Sequence, residues 1–388
     1  MTLQSMLTPV LWSLPWVLVP AVGLARALRS TSLDDESAAA PADAPLVSVI
    51  IPARNERRNI ERCARSVLST TYPSVEVIVV DDHSTDGTGD VARAVGASDA
   101  RLRVIPAPDL PPGWFGKQWA CATGAGEAQG ALLLFTDADT RHAPDLLTRA
   151  VNAMRRRSAD LLTVAGHQEM HSFWERVVQP QVFAILLLRY GSTEAVSGTR
   201  RPENAIANGQ FMLFRRDVYE AMGGHDAVRD HAAEDLALAQ HYVRSGRRMA
   251  IVVGIDQLST HMYASLGELV AGWRKNVFAA GRYAAPGGTV GRALYGPLLV
   301  AGPLVWLAPP VVFAVAATGL LPSAWLVWSA LATGASLVFG MATYRAMREP
   351  AWYAFLYPLG LALMFYISAG AVARGRRVRW KDREYVAR

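Results

Sequence analysis

Apolar positions along this chain follow three patterns, and each predicts a different surrounding. The first is a set of short runs without helical period: Val47–Ala53 (VSVIIPA), Val75–Val80 (VEVIVV), Arg103–Pro106 and Ala131–Thr136 (ALLLFT). Runs this short read as strands, and a continuous rather than alternating apolar character marks strands covered on both faces of a parallel sheet. The second pattern lies between them. Ile60, Ala64, Val67 and Leu68 fall on one face of a helix that opens near Glu56, and Phe115–Gln129 is mostly helical. Alternating strand and helix predict a doubly wound α/β sheet. Met249–Gly254 reads as a further strand, and no internal repeat occurs.

The third pattern is long and uncharged. Leu7–Ala25 carries no charge, Ala293–Tyr344 contains no Asp, Glu, Lys, Arg or His, and Pro350–Ala373 is a further uncharged run. At ~20 residues per span the middle run holds two membrane helices, turning near Gly319–Ser323. Met1–Met6 lacks the basic flank of a signal peptide, so Leu7–Ala25 reads as a retained anchor. Arg26 and Arg29 then predict that the domain following it faces the cytoplasm of a multi-pass protein of the inner membrane. Three later spans would leave the C-terminus outside, yet Arg374–Lys381 (RGRRVRWK) is basic and should stay inside. Either one segment is re-entrant or the tail breaks the rule; the tail also suits anionic lipid head groups. Phe173–Tyr190 is apolar but mixed, and reads equally as an interfacial helix or a core helix.

Composition sharpens the division. Hydrophobic residues make up 51% of the 388 and charged residues only 19%, and the apolar excess sits at the two ends. The expected organisation is a membrane anchor over 1–29, a linker over 30–45, an α/β domain over 46–285, membrane helices over 286–373 and a basic tail over 374–388. The formal charge of +6 fits a membrane surface. No stacking platform or nucleic-acid motif is present, so a nucleic-acid partner is not expected. Cys63 and Cys121 have no metal-ligand spacing and read as reduced core residues.

The candidate chemistry lies where the strands stop. Ala131–Thr136 runs into Asp137 and Asp139, and Val75–Val80 into Asp81 and Asp82. Open parallel sheets bind ligands at the carboxyl ends of their strands. Alternate residues of an extended segment point the same way, so Asp137 and Asp139 can reach one guest. Oxygen ligands suit a hard cation, Mg or Mn, completed by water and phosphate oxygens. There is no glycine-rich phosphate loop; acids at two strand ends are what a metal-held phosphate would need.

PARNE at Pro52–Glu56, DDHSTDGT at Asp81–Thr88, GK at Gly116–Lys117, DAD at Asp137–Asp139 and ED at Glu234–Asp235 together resemble the family 2 glycosyltransferases. The resemblance runs over roughly residues 45–285. PPGWFGKQWA at Pro111–Ala120, the paired apolar segments and the closing VRWKDREY resemble membrane members associated with hopanoid and carotenoid glycosylation. What the resemblance implies is an inverting enzyme: a GT-A, Rossmann-like nucleotide-sugar-binding domain joined to transmembrane α-helices. Its donor would be a nucleotide-sugar, most simply a UDP-sugar, and its acceptor a lipid hydroxyl, hopanoid, carotenoid or other isoprenoid.

The resemblance also implies roles. Pro52, Glu56, Asp81, Asp82, Lys117 and Asp137 would line the nucleotide-sugar site, with Asp82 at the base and Lys117 near the diphosphate. Asp139, helped by Asp137, would hold Mg or Mn. Asp235, beside Glu234, would take the acceptor's proton. The family's Q-x-x-R-W motif is here GWRKN, where Trp273 and Arg274 would meet the acceptor sugar or a phosphate. That departure weighs against the alternative of processive polysaccharide synthesis. An inactive membrane scaffold is the other alternative, and the retained Asp139 and Asp235 weigh against it. His225–Asp235 (HDAVRDHAAED) reads as an acceptor-side loop, with no zinc spacing; His261 reads as a structural histidine or an extra metal ligand.

Overall fold

The computed structural model describes residues 3–375, 377–380 and 383–386. In chain order the elements are α1 (Leu3–Ala27), β1 (Val47–Ala53), α2 (Ile60–Leu68), β2 (Val75–Asp81), α3 (Thr88–Gly96), β3 (Leu102–Pro106), α4 (Gly116–Glu127), β4 (Leu132–Thr136), β5 (Thr140–His142), α5 (Leu146–Arg156) and β6 (Leu161–Gln168). Then come α6 (Phe173–Tyr190), α7 (Thr193–Ser197), β7 (Phe211–Arg215), α8 (Arg216–Ala221), α9 (Glu234–Arg244), β8 (Met249–Thr260), α10 (Leu266–Tyr283), α11 (Gly288–Ala317), α12 (Ser323–Ala346), α13 (Tyr357–Arg374), β9 (Arg377–Trp380) and β10 (Arg383–Val386). They divide into a sheet unit and a helical unit.

The sheet unit contains β1–β8 with their helices and the β9–β10 hairpin. Its eight strands lie in the order β3-β2-β1-β4-β7-β6-β8-β5. β3, β2, β1 and β4 are parallel, as their continuous apolar runs require, and Val47–Ala53 is buried except for a half-buried Pro52. β7 enters antiparallel to both β4 and β6, and β5 antiparallel to β8. The sheet is therefore mixed rather than wholly parallel. The parallel half puts the carboxyl ends of β1, β2 and β4 along one edge, which is what positions the candidate site. Beneath them Val49, Ile51, Val77, Val79, Leu134, Leu213 and Phe211 form part of one continuous core.

The helix expected to open near Glu56 starts later. Backbone N–H groups of Asn59 and Ile60 both donate to Glu56 O, and α2 begins at Ile60. Asp86 stands just before Gly87, the N-cap of α3. Its Oδ1 accepts from Thr88 N at 3.0 Å, while Gly87 takes the left-handed conformation at φ 90°.

The helical unit gathers α1, α6 and α10–α13. Among the described residues, four segments are long and apolar enough to cross a membrane: Leu7–Ala27, Gly288–Ala317, Ser323–Ala346 and Ala351–Arg374. The expected turn near Gly319–Ser323 lies between α11 and α12. Trp328 Nε1 donates to Trp12 O at 3.2 Å, and Trp16 packs edge-on to Trp328, tying α1 to α12. Tyr344 donates to Arg176 O at 2.7 Å, and Arg176 pairs with Glu349 at 2.8 Å, tying α6 to the end of α12. Phe173–Tyr190 thus belongs to the helical unit, although it lies within the 46–285 stretch expected to be one domain. Conversely, the C-terminal hairpin, expected as part of a separate basic tail, belongs to the sheet unit. Arg376 and Lys381 of that basic run lie outside the described residues.

Candidate active site

The carboxyl ends of three neighbouring strands deliver the acids. β1 ends at Ala53, and Pro52 sits within it opposite Val80 of β2. Glu56 follows in the turn; its N–H donates to Thr88 Oγ1 at 2.8 Å and its Oε2 accepts from Asn59 at 2.8 Å. β2 ends at Asp81, whose Oδ1 accepts from Ser84 N at 3.1 Å. A Cβ on Gly89 would clash with Asp81 Oδ2, so glycine lets α3 pass without displacing this carboxylate. β4 ends at Thr136. Asp137, Ala138 and Asp139 form the turn into β5, held by Thr140 Oγ1 donating to Asp137 O at 2.8 Å.

Lys117 joins this edge to a distant part of the chain. It stands in the first turn of α4, and its Nζ lies 2.6 Å from Asp137 Oδ1 and 2.7 Å from Glu234 Oε1. Glu234 opens α9, and Asp235 follows it. Asp235 Oδ1 accepts from Leu236 N at 2.7 Å, and Oδ2 from Gly209 N at 3.1 Å. A Cβ on Gly209 would stand 3.1 Å from that Oδ2. Asp137, Lys117, Glu234 and Asp235 therefore form one cluster, although the β4 turn and α9 are far apart in sequence.

The electrostatics follow from this crowding. Burial alone would lower the Lys117 ammonium, but Asp137 and Glu234 outweigh it and hold it well above the ordinary lysine value. Burial raises the Asp137 carboxyl, and Lys117 only partly offsets the rise. Asp139 is pushed up to about 8 by burial, then by the like charges of Asp137 and Glu56. Burial and then Glu234 push Asp235 up to about 6, against the pull of Lys117 and of its two backbone donors.

These residues suit a divalent cation. Asp139 Oδ1 is buried without a hydrogen-bond partner. The same negative field that favours a proton on Asp139 favours a hard cation there. Among the described residues no group of three or more His, Cys, Asp or Glu forms a cage for a metal. A cation at this edge would thus take Asp139 and Asp137 from the protein and its remaining ligands from elsewhere.

Other expected site residues are placed differently. The Asp82 carboxylate is 2% exposed and is held by Arg383 at 2.8 and 3.2 Å, with Arg54 at 3.8 Å, so it is not open to a base. Trp273 is 7% exposed, between Phe183 and Tyr263 of the helical unit, and offers no open stacking face. Arg274 lies over the Tyr366 ring of the same unit at 4.5 Å. His225, expected in an acceptor-side loop, is a core residue: it is buried, pairs with Tyr219 Oη at 2.7 Å, and packs on Phe135. His261 is half-buried just past β8. Sequence reasoning missed Gly209, Arg62, which donates to Asp139 O at 3.2 Å, and Arg383. Gly209 had a local signal, a glycine ahead of the apolar run FMLF, and Arg383 lies within the closing VRWKDREY, whereas Arg62 had none.

Residues 48–223 match the family model Glycosyl transferase family 2. The chain is 29% identical over 235 residues to 4,4'-diaponeurosporenoate glycosyltransferase of Staphylococcus aureus (strain USA300), 60% of this chain and 60% of that one. The same enzyme of strain MRSA252 is 29% identical over 265 residues, 67% of this chain and 65% of that one. The match thus spans less than two thirds of these relatives. Among solved structures, a mannosyltransferase from Pyrobaculum calidifontis, in complex with GDP-Man and Mn2+, superposes with a TM-score of 0.60 and 22% identity, covering 95% of this chain and 98% of that one. That likeness shows a shared GT-A fold.

Proposed function

We propose that this chain, whose residues 48–223 are a family 2 glycosyl transferase domain, moves a sugar from a nucleoside diphosphate donor to the hydroxyl of a lipid acceptor at a membrane. The observation that carries this reading is the Lys117 bridge, which ties Asp137, in the turn after β4, to Glu234, the residue before Asp235. Transfer with inversion needs a base on the acceptor side and neutralisation of charge on the leaving diphosphate side. Asp235 supplies the base: its carboxylate takes the hydroxyl proton as the acceptor oxygen bonds to the anomeric carbon and the bond to the diphosphate breaks. The N–H groups of Gly209 and Leu236 fix both of its oxygens. Lys117 holds a positive charge close to the departing diphosphate while keeping Glu234 and Asp137 apart. A divalent cation bound by Asp139 and Asp137, Mn2+ or Mg2+, would add Lewis-acid stabilisation of the diphosphate. Single displacement requires one base and no carboxylate nucleophile, so Asp235 suffices for it.

The lipid acceptor is supported by the four membrane-length helices and by relatives named for a carotenoid-type substrate. UDP is the simplest donor nucleotide; the Pyrobaculum enzyme, with GDP-Man, makes GDP the natural second choice. We place the sheet unit in the cytoplasm, following Arg26 and Arg29. Because β8 and the C-terminal hairpin belong to one unit, an even number of crossings separates them. We assign α11 and α12 as the pair, with Ala351–Arg374, which begins as a 3-10 turn, re-entrant.

Nucleotide release from UDP- and GDP-sugars by full-length protein in detergent, with lipid extract as acceptor, tests the reading. Metal-dependent release that is lost in Asp139→Ala is expected. Metal-independent release, or equal release by that variant, overturns it.

A further inference from the structure

The C-terminal hairpin is charged and aromatic, yet it is built into the sheet unit at the same edge as the acids. β9 and β10 pair antiparallel, with Arg383 opposite Trp380 and Tyr385 opposite Val378. Arg383 reaches the carboxyl end of β2 and grips both oxygens of Asp82. Two positions on, the Tyr385 ring lies against Phe115, centroids 4.1 Å apart, and its oxygen accepts from Gly116 N at 3.3 Å. Gly116 immediately precedes Lys117. Phe115 packs in turn against Ala232, three residues before Asp235. The hairpin thus touches the residue after β2 and the start of α4, and reaches the segment before Asp235 only through Phe115.

We propose that Arg383 is a donor-binding residue: fixed by Asp82, its guanidinium receives the phosphates of the nucleoside diphosphate, and Tyr385 clasps the hairpin in place. The inference rests on the glycosyl transfer reading. A guanidinium has five N–H donors, and Asp82 engages two of them. The Arg383 side chain remains 21% exposed, against 2% for Asp82, so the pair presents its cationic partner. Breaking a pair with so buried a carboxylate is costly. The hairpin is therefore a standing wall rather than a plug that the nucleotide must expel. The bidentate grip fixes the guanidinium plane, with Tyr385 also in hydrogen-bond reach, and leaves phosphate to the N–H groups that Asp82 and Tyr385 do not engage.

The test is equilibrium binding of UDP, GDP and their nucleosides to full-length protein in detergent with Mn2+. The variants are Arg383→Ala, Arg383→Lys and Tyr385→Phe, with exposed Arg244→Ala as a control for loss of one positive charge. For whichever diphosphate the wild type binds, Arg383→Ala should weaken it at least tenfold and leave its nucleoside within twofold. Arg383→Lys should recover part of the loss, and Tyr385→Phe, which keeps the ring, should lose less. Unchanged diphosphate binding in Arg383→Ala overturns the inference while leaving the transfer reading intact. Equal loss of diphosphate and nucleoside also overturns it, because that pattern is collapse of the wall rather than a lost phosphate contact. A wild type that binds neither diphosphate overturns both.

Discussion

Lys117→Met removes the positive charge at the centre of the cluster while nearly keeping its volume. Asp137 and Glu234 then lose the ammonium at 2.6 and 2.7 Å that separates them. Breaking a buried ion pair costs about 3–5 kcal/mol. The three side chains keep 12 to 28% exposure, so we take the low end, about 3 kcal/mol for the pair of contacts together. For a unit of this size that corresponds to a drop of roughly 6–12 °C in the unfolding midpoint. The sign of the pH dependence is fixed. Asp137, Asp139 and Asp235 already sit above their unfolded values, and losing Lys117 raises them further. Stability carried by their protonated forms is complete below the unfolded carboxylate range and is lost as pH rises through the raised values. The deficit of the variant should therefore be small near pH 5 and large near pH 8. Thermal unfolding of full-length protein in detergent, followed by fluorescence across that range, reads it directly. A midpoint within about 2 °C of wild type at pH 8, or a deficit independent of pH, would show that Lys117 does not offset these carboxylates.

Three further outcomes follow from the same geometry. Because Asp235 must be ionised to accept a proton and burial holds it up at about 6, kcat should fall about tenfold per pH unit below that value and level off above it, as a stopped assay over pH 4.5–8 would show. Gly209→Ala crowds Asp235 Oδ2 and should lower kcat several-fold with little change in donor KM. Gly89→Ala crowds Asp81 instead, and initial-rate kinetics should show the reverse, a raised donor KM with kcat nearly kept.

Much of this molecule is written in local pattern. VSVIIPA, VEVIVV and ALLLFT are strands because continuous apolar runs of that length have no other stable place, and the acids after them sit at one edge because the strands are parallel. The long uncharged runs declare their helices as plainly. What periodicity does not encode is pairing across the chain. β7 (FMLFR) inserts antiparallel beside β4, and β6 loses its register at Gly166/His167, so neither announces its neighbours. Asp82 has the sequence of an exposed acid after a strand; only Arg383, 301 residues on, makes it a buried partner. His225 likewise reads as a loop residue until Tyr219 and Phe135 close over it. Trp273 shows the opposite limit: a residue placed by likeness to a motif is packed among aromatic neighbours instead.

In the proposed transfer, the acid after β4 and the acid at the start of α9 act on one bound donor. Donor binding and turnover measured side by side on wild type, Asp139→Asn and Asp235→Asn test it most directly. Asp235→Asn should bind nucleoside diphosphate with Mn2+ as wild type does but turn over at least about 100-fold more slowly, whereas Asp139→Asn should lose the metal-dependent part of binding. Wild-type turnover by Asp235→Asn, or unchanged metal-dependent binding by Asp139→Asn, would contradict it.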